Sequence, residues 1–410
     1  MKSLRFCMVT TFYPPYHFGG DGAFIYSLAN ELAKRDHKIE IIHCLDSYQL
    51  LSKSIATGNY LEHPNVKIHR LESALGPLSP LATQQIGWPL FKSKKLQAIL
   101  NQQFDVIHYH NISLVGGPKI LEYGQAIKLY TMHEYWLICQ THTLFKFNKE
   151  LCTEPSCFAC SLVYLRPPQW WRYFGLLEQM LKNVDRFISP SRFTADIHYK
   201  MGLKIPIVHL PNFVSPSVSL VNESQETKEL PYFLYVGRLE KIKGLQTIIP
   251  IFQKYKKARL LVVGKGSFEN ELKALASNSP NIEFLGFKSS DELQKLFQQA
   301  VALIVPSICY EIFALVIIEA FREKTPAIVH NLGGMPELIE KSGGGFTYNN
   351  ETQLITAMEQ LLTDIDERNK LGKLGYQAYQ ENWTPEAHIN QYLTLIQEIA
   401  NSKNLTLGQS

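Results

Sequence analysis

Residues 232–245 read YFLYVGRLEKIKGL. Five apolar residues in a row, aromatic and β-branched among them, predict a strand buried on both faces. Gly237 interrupts the run, and Gly244 closes a short turn before a second apolar stretch at helical spacing. The unit is strand, turn, helix. After it come ARLLVVGKG, IEFLGF, ALIVPS and PAIVHN, each separated from the next by a helical pattern. The same alternation has already run once upstream. LRFCMVT leads through a glycine-rich turn into AFIYSLANELAKR, and KIEIIHC, DVIHYHN, IKLYTMHE, RFISPS and IVHLPN follow as further buried strands.

Two successive α/β series of similar size predict two doubly wound parallel-sheet domains. At 410 residues the chain is also too long for one ordinary core. The stretch SPSVSLVNESQETKELP, residues 215–231, is polar and lacks periodicity. It divides the chain into a first domain over 1–214, a linker over 215–231 and a second domain over 232–384. A last helix over 385–402 starts with Thr384 as cap and Pro385 in its first turn, and 403–410 form a tail.

The net charge of +4 is too mild to indicate nucleic acid as a partner. Its distribution is uneven. Residues 1–210 hold 22 Lys+Arg against 15 Asp+Glu, and the remainder holds 19 against 22. A basic first half suits an anionic acceptor or an anionic membrane surface. No run of about 18 apolar residues suggests a membrane span. The opening MKSLRFCMVTTFYPPY reads as a first buried strand rather than a signal peptide, so the expected location is cytoplasmic. Seven cysteines, an odd number, argue against a disulfide framework there.

Charged residues at strand ends are the candidate chemistry. Ligands of doubly wound sheets bind beyond the carboxyl ends of the strands. Arg238 follows one strand and Lys243 comes five residues later, a pair of cations suited to a diphosphate. PSICYEIFALVIIEAF, residues 306–321, carries Glu311 and Glu319 in an apolar run. Eight positions leave two side chains roughly 80° apart on a helix, so Glu311 belongs in the turn that opens the helix and Glu319 two turns inside it. Both then face one anion-favouring helix N-terminus. PYHFGGDGAF sets Gly19, Gly20 and Gly22 between a strand and a helix, where N–H groups approach phosphate closely. It is not GxGxxG, and VVGKGSFE fails that test at Glu269. His133 and Glu134 stand at one strand end, and His108 and His110 at another. Asp364 and Asp366 form a DxD in a polar helical stretch and read as solvated helix surface.

In order and spacing these motifs resemble the retaining glycosyltransferases of family 4, with the GT-B fold of two Rossmann-like domains facing a cleft. The resemblance covers nearly the whole chain. GGDGAFIYSLANELAKRDHKIEII is similar to the family's glycine loop and helix, VGRLEKIKG to its diphosphate motif, and PSICYEIFALVIIEAF to its E-x7-E signature. GGMPELI, residues 333–339, matches the turn that follows. It implies a hexosyltransferase type of enzyme that moves a sugar, with retention and without a catalytic metal or other cofactor. The donor would be a UDP-, GDP- or ADP-linked sugar, and the acceptor a glycan, a lipid-linked molecule or a small molecule, in polysaccharide or glycoconjugate biosynthesis. The implied roles are residue by residue. Arg238 and Lys243 neutralise the departing diphosphate, Glu319 takes the ribose, and Glu311 takes hydroxyls of the sugar. Backbone at Ala314 and Leu315 cradles sugar and phosphate, Gly20 approaches the phosphate, and His133 orients the sugar. Three positions depart from the family pattern. Ile312 and Ala314 stand where glycines are usual, which bears on which sugar fits. Lys324 replaces the small residue often found before TP. The alternatives are a GT-B-type sugar-nucleotide epimerase and a non-catalytic GT-B scaffold with a zinc-bearing loop. Glycogen-type phosphorylases share the architecture but need a longer chain and a pyridoxal phosphate lysine.

Two further expectations lie outside the donor motifs. Cys139, Cys152, Cys157 and Cys160 are spaced C-x12-C-x4-C-x2-C, which suits a structural zinc, with His142 as an alternative ligand. They fall in a stretch, 133–168, with little periodicity, expected to be a long loop. LRPPQWWRYFGLLEQMLK, residues 165–182, mixes aromatic and basic residues as interfacial helices do, and would place the protein at the inner face of an anionic membrane.

Overall fold

The computed structural model describes residues 2–52, 58, 60–217 and 230–408. Most of the expected linker, residues 218–229, lies outside the described residues. The chain divides into two compact units, one of Met1–Pro211 with Pro385–Ser410 and one of Asn212–Thr384.

The first unit is built on β1 (Arg5–Val9), β2 (Lys38–Cys44), β3 (Val66–Leu71), β4 (Val106–Tyr109), β5 (Ile127–Thr131), a hairpin of β6 (Phe145–Lys146) and β7 (Glu150–Leu151), β8 (Arg186–Ser189) and β9 (Ile207–His209). Seven of these form one sheet in the order β3-β2-β1-β4-β5-β8-β9, with parallel pairing throughout. Phe6, Met8, Ile41, Ile107 and Leu129 are fully buried, as expected of strands covered on both faces. The final helix, Pro385–Ser402, packs on this unit: its Tyr392 ring stacks 6.1 Å from Phe6 of β1.

The second unit holds β10 (Tyr232–Val236), β11 (Arg259–Val263), β12 (Ile282–Gly286), β13 (Ala302–Val305), β14 (Ala327–His330) and β15 (Gly345–Tyr348). They form a parallel sheet in the order β12-β11-β10-β13-β14-β15. Both sheets reverse direction beside their first strand, at β1/β4 and at β10/β13. Loops leaving the carboxyl ends of that strand pair diverge and leave a crevice, the usual ligand position in an open parallel sheet. Two Rossmann-like domains of this kind make the α/β GT-B fold.

The 133–168 stretch is more structured than a loop. It contains a short 3-10 turn at Tyr135–Leu137, the β6–β7 hairpin and a helix at Cys157–Val163. The 165–182 stretch is not one helix. A 3-10 turn at Trp170–Phe174 and a helix at Leu176–Leu181 are separated by Gly175 in the left-handed region at φ 71°. Trp171 is buried, and Arg172 turns inward, 4.5 Å over the Trp171 ring and bonded to the carbonyls of Trp136 and Leu137.

Candidate active site

In the second unit the two strands at the switch point, β10 and β13, deliver the charged residues. Arg238 leaves β10 after Gly237, half exposed, with Nη1 donating to Glu240 Oε1 at 2.5 Å. This turn is braced from below. Gly264 has φ 136°, and a Cβ there would meet the Gly237 carbonyl at 1.9 Å; a Cβ at Gly266 would meet the Leu239 carbonyl at 2.2 Å. The glycines of VVGKG therefore seat the Arg238 turn instead of cradling a dinucleotide.

Lys243 ends a 3-10 turn at Lys241–Lys243. Gly244 follows at φ 76°, packed where a Cβ would lie 1.9 Å from the Pro306 carbonyl. That close approach, with the Ile308 N–H donating to the Ile242 carbonyl at 3.0 Å, sets Lys243 beside the loop after β13. Lys243 Nζ donates to Glu311 Oε1 at 2.7 Å, and Ser307 Oγ donates to the same oxygen at 2.6 Å. His330 Nδ1 lies 2.8 Å from the Ser307 carbonyl. Gly333, at φ 67°, packs on the Glu311 backbone, and the Gly334 N–H donates to the Glu311 carbonyl at 2.7 Å. Burial raises the Glu311 carboxyl, but the charge of Lys243 and the bonds from Lys243 and Ser307 outweigh it and hold the group below its ordinary value. Burial likewise opposes the charge on Lys243, and Glu311 more than restores it. The pair is ionised, and Glu311 Oε2 keeps no partner among the described residues.

The helix Leu315–Arg322 starts just beyond, with Ala314 as its N-cap residue and no side-chain cap, so its first N–H groups stay open. Glu319 lies in its second turn, half-buried. Burial raises its carboxyl, eased by Arg322, and no hydrogen-bond partner is present among the described residues. A half-buried carboxylate without a donor is costly unless a ligand supplies one.

In the first unit, Gly19 is extended at φ −177° and the helix Gly20–Ala33 begins with Gly20 exposed. A Cβ on Gly22 would press 2.7 Å from the His17 Cβ, which accounts for that glycine. His133, past the end of β5, sits 5.4 Å from the Phe24 ring of this helix. Its Nε2 is 3.0 Å from His110 Nδ1, with the two rings stacked, and the His108 ring lies tilted against His110 at 4.0 Å. His108 in turn bonds Thr131 Oγ1 at 2.7 Å and the Tyr392 hydroxyl at 2.8 Å. Burial lowers His133 to about 4, with Asp21 opposing and His388 adding. The ring is neutral at pH 7, and its Nδ1 has no partner among the described residues.

Asp364 caps the helix Ile365–Asn382 by accepting from the Glu367 N–H at 2.9 Å, so the DxD is a helix start. Among the described residues no group of three or more His, Cys, Asp or Glu is placed so that it could hold a metal ion.

The family model described as "Glycosyltransferase Family 4" matches residues 18–218, and "Glycosyl transferases group 1" matches residues 219–378. The chain belongs to this glycosyltransferase family. An uncharacterized glycosyltransferase of Methanocaldococcus jannaschii is 24% identical over 412 residues, covering 95% of this chain and 98% of that protein. Among solved structures, sucrose-phosphate synthase from Thermosynechococcus elongatus aligns with a TM-score of 0.74 at 17% identity, over 97% of this chain and 100% of that one. Anabaena HepE, in complex with UDP-glucose, aligns with a TM-score of 0.66 at 15% identity, over 98% and 99%.

Proposed function

We propose that this glycosyltransferase retains configuration at the anomeric carbon, needs no catalytic metal, and takes a nucleotide-sugar donor, UDP-linked first and GDP- or ADP-linked as alternatives. The observation that carries the reading is the juxtaposition at the second unit's switch point: an ionised Lys243–Glu311 pair, an open helix start at Ala314–Leu315, and Glu319 with no hydrogen-bond donor among the described residues. As the bond between the sugar's C1 and the diphosphate breaks, the electron pair leaves with the diphosphate. Lys243 and Arg238 offset that charge, a task a metal performs elsewhere. Glu311 Oε2 and Glu319 then accept from sugar and ribose hydroxyls. Within the first unit, His133, neutral, can accept from or donate to a hydroxyl through Nδ1, and Gly20 begins a helix whose N–H groups suit an anion. The UDP-glucose bound by Anabaena HepE supports putting UDP first.

We also infer that the first unit touches an anionic membrane or a lipid-linked acceptor. Leu165 is 93% exposed and Phe174 82%, with Trp170, Tyr173, Arg166 and Lys182 also exposed along the same stretch. The contact would be a patch of loop and turn residues, since the stretch is not a continuous helix.

Thermal unfolding with UDP, GDP and ADP, followed by turnover of a nucleotide-sugar panel with NMR of the product anomer, tests the assignment. A ligand at about 100 times its Kd adds about 2.7 kcal/mol of stability. One diphosphate should stabilise, and its sugar nucleotide should be turned over with retention. Stabilisation by none favours the scaffold; an epimerised donor favours the epimerase. Vesicles that bring down no protein even at low salt would remove the membrane contact.

A further inference from the structure

Apart from the donor site, the first unit gathers four thiols from one small substructure. Cys139 follows the 3-10 turn Tyr135–Leu137, its N–H donating to the Tyr135 carbonyl at 2.7 Å. The β6–β7 hairpin then reverses the chain through Phe147 and Asn148, both at positive φ, and ends at Cys152, whose N–H donates to the Leu144 carbonyl at 2.8 Å. Cys157 and Cys160 lie one turn apart at the start of the helix Cys157–Val163, a spacing that puts them on one face. The Phe147 N–H at the hairpin tip donates to Cys160 Sγ at 3.4 Å, joining hairpin to helix. All four cysteines are free, and all four line a single cavity whose other walls include Leu144 and Phe145.

This substructure is held by isolated contacts rather than by regular structure: Leu144 and Phe145 are buried, the Tyr164 hydroxyl donates to the Phe145 carbonyl at 2.6 Å, and Ser161 Oγ donates to Gln140 Oε1 at 3.0 Å. Its strands are two residues long and its helix seven, below the lengths at which such elements persist alone. Its backbone is also unfavourable. His142, Leu144, Phe147, Asn148 and Leu165 all have positive φ, a conformation kept only where surrounding structure enforces it.

We propose that Cys139, Cys152, Cys157 and Cys160 bind one structural zinc ion that clamps the hairpin to the helix. The thiols share the cavity without yet meeting at a point, so binding draws them together by rotation about χ1 and adjustment of the 153–156 turn. Four S–H protons leave as four Zn–S bonds form, and the resulting centre carries two negative charges. Arg172 is placed to offset them, close to Cys139 and Cys157 and bonded to the carbonyls of Trp136 and Leu137 just before Cys139. His142, the alternative ligand, does not line the cavity, so the four thiols make up the proposed set. The ion acts on the fold and takes no part in sugar transfer.

The full chain, purified without chelator, should hold one zinc by elemental analysis and native mass spectrometry. Titrating the unaltered protein with a mercurial, in the presence of a zinc-sensitive dye, should release that zinc in step with four of the seven thiols. Cys157→Ser with Cys160→Ser should abolish the metal and lower Tm; should that variant fail to fold, the titration of the unaltered chain still decides. Less than about 0.1 zinc per chain with every thiol reactive in the native state would overturn the proposal. So would iron with visible absorbance, a disulfide among the four cysteines, or zinc that persists in the double variant.

Discussion

The two sheets share one topology and use it in opposite electrostatic ways. At the β10/β13 switch the second unit gathers charge: Arg238, Lys243, Glu311 and, one helix further, Glu319. Near the β1/β4 switch the first unit gathers neutral rings: His108, His110, His133, His388 and Tyr392, stacked and hydrogen-bonded to one another and to backbone. Burial acts on both sets. It wins in the first unit, where the rings offer each other no opposite charge, and both His133 and His388 fall to about 4. It loses in the second, where Lys243 and Glu311 answer each other directly. The scaffold therefore does not dictate the chemistry of its crevice; the side chains on two loops do. A charged crevice suits a diphosphate, and a neutral one suits hydroxyls.

Breaking the charged side should give the largest effect. On the proposed roles, Lys243→Ala removes a cation from the departing diphosphate and leaves Glu311 Oε1 with Ser307 Oγ and the more distant Cys309 thiol. Removal of one preorganised electrostatic donor costs about 10²–10³ in kcat. Steady-state kinetics on the identified donor, with a matched unfolding curve, checks it; near-normal turnover in a folded variant would end the assignment. Glu319→Ala should cost less, about 1.5–3 kcal/mol for lost bonds to a charged group, read mainly in the KM for the donor. Because the carboxylate has no hydrogen-bond partner among the described residues, this variant should also be no less stable than the parent. A large drop in Tm with unchanged KM would make Glu319 a structural residue.

How much of this contrast was legible in the sequence depends on which residues carry it. Central strands such as Tyr232–Val236 announce themselves because both faces are buried and every residue is apolar. Val66–Leu71 and Gly345–Tyr348 escaped notice because they are edge strands, half exposed, one carrying charges and the other short and led by glycine. The charged residues of the site were readable as types at strand ends. Their pairing was not, since Lys243 and Glu311 are 68 positions apart and meet only because Gly244 lets two loops touch. The histidine stack was half visible: His108, His110 and His133 stand at strand ends, whereas His388 and Tyr392 arrive on the final helix, whose apolar face carries no sign of the unit it packs on. Gly264 and Gly266 drew attention for the wrong reason, because a glycine pressed against backbone and one facing a phosphate look alike in sequence.

The neutral side can be tested by acid. The His388 ring titrates near 6.5 unfolded and at about 4 folded. Between those values the unfolded chain binds a proton that the folded chain refuses, so stability falls as pH drops from about 6.5 to 4 and levels below. One such group contributes a slope of about 1.4 kcal/mol per pH unit within the window. The Glu311–Lys243 pair does not add to it: Glu311, lowered, loses its contribution only as pH falls below the ordinary carboxylate range, and Lys243, raised, only at high pH. Four of the five tryptophans lie in the first unit, so urea unfolding followed by tryptophan fluorescence reads the histidine side. His388→Phe should flatten the dependence between pH 7 and 5 by up to one proton's worth, and an unchanged slope would show that the cluster is not what titrates.

The smallest effect belongs to the second unit's remaining acidic motif. Asp364 and Asp366 have the spacing of a metal-holding pair, yet Asp364 spends its carboxylate on the Glu367 N–H at the start of the helix Ile365–Asn382. A carboxylate so engaged stabilises the helix by accepting from an otherwise open donor and by lying at the positive end of the helix dipole. Asp364→Ala should therefore lower stability by about 1 kcal/mol while leaving turnover unchanged, with or without added Mg²⁺. Asp364→Asn or Asp364→Ser, which keep an acceptor oxygen, should recover most of the loss. Kinetics and chemical denaturation on the three variants separate the two roles. Activity that collapses in Asp364→Ala and responds to divalent metal would place a second charged centre in this unit, and the metal-free site proposed on Arg238, Lys243, Glu311 and Glu319 would fail.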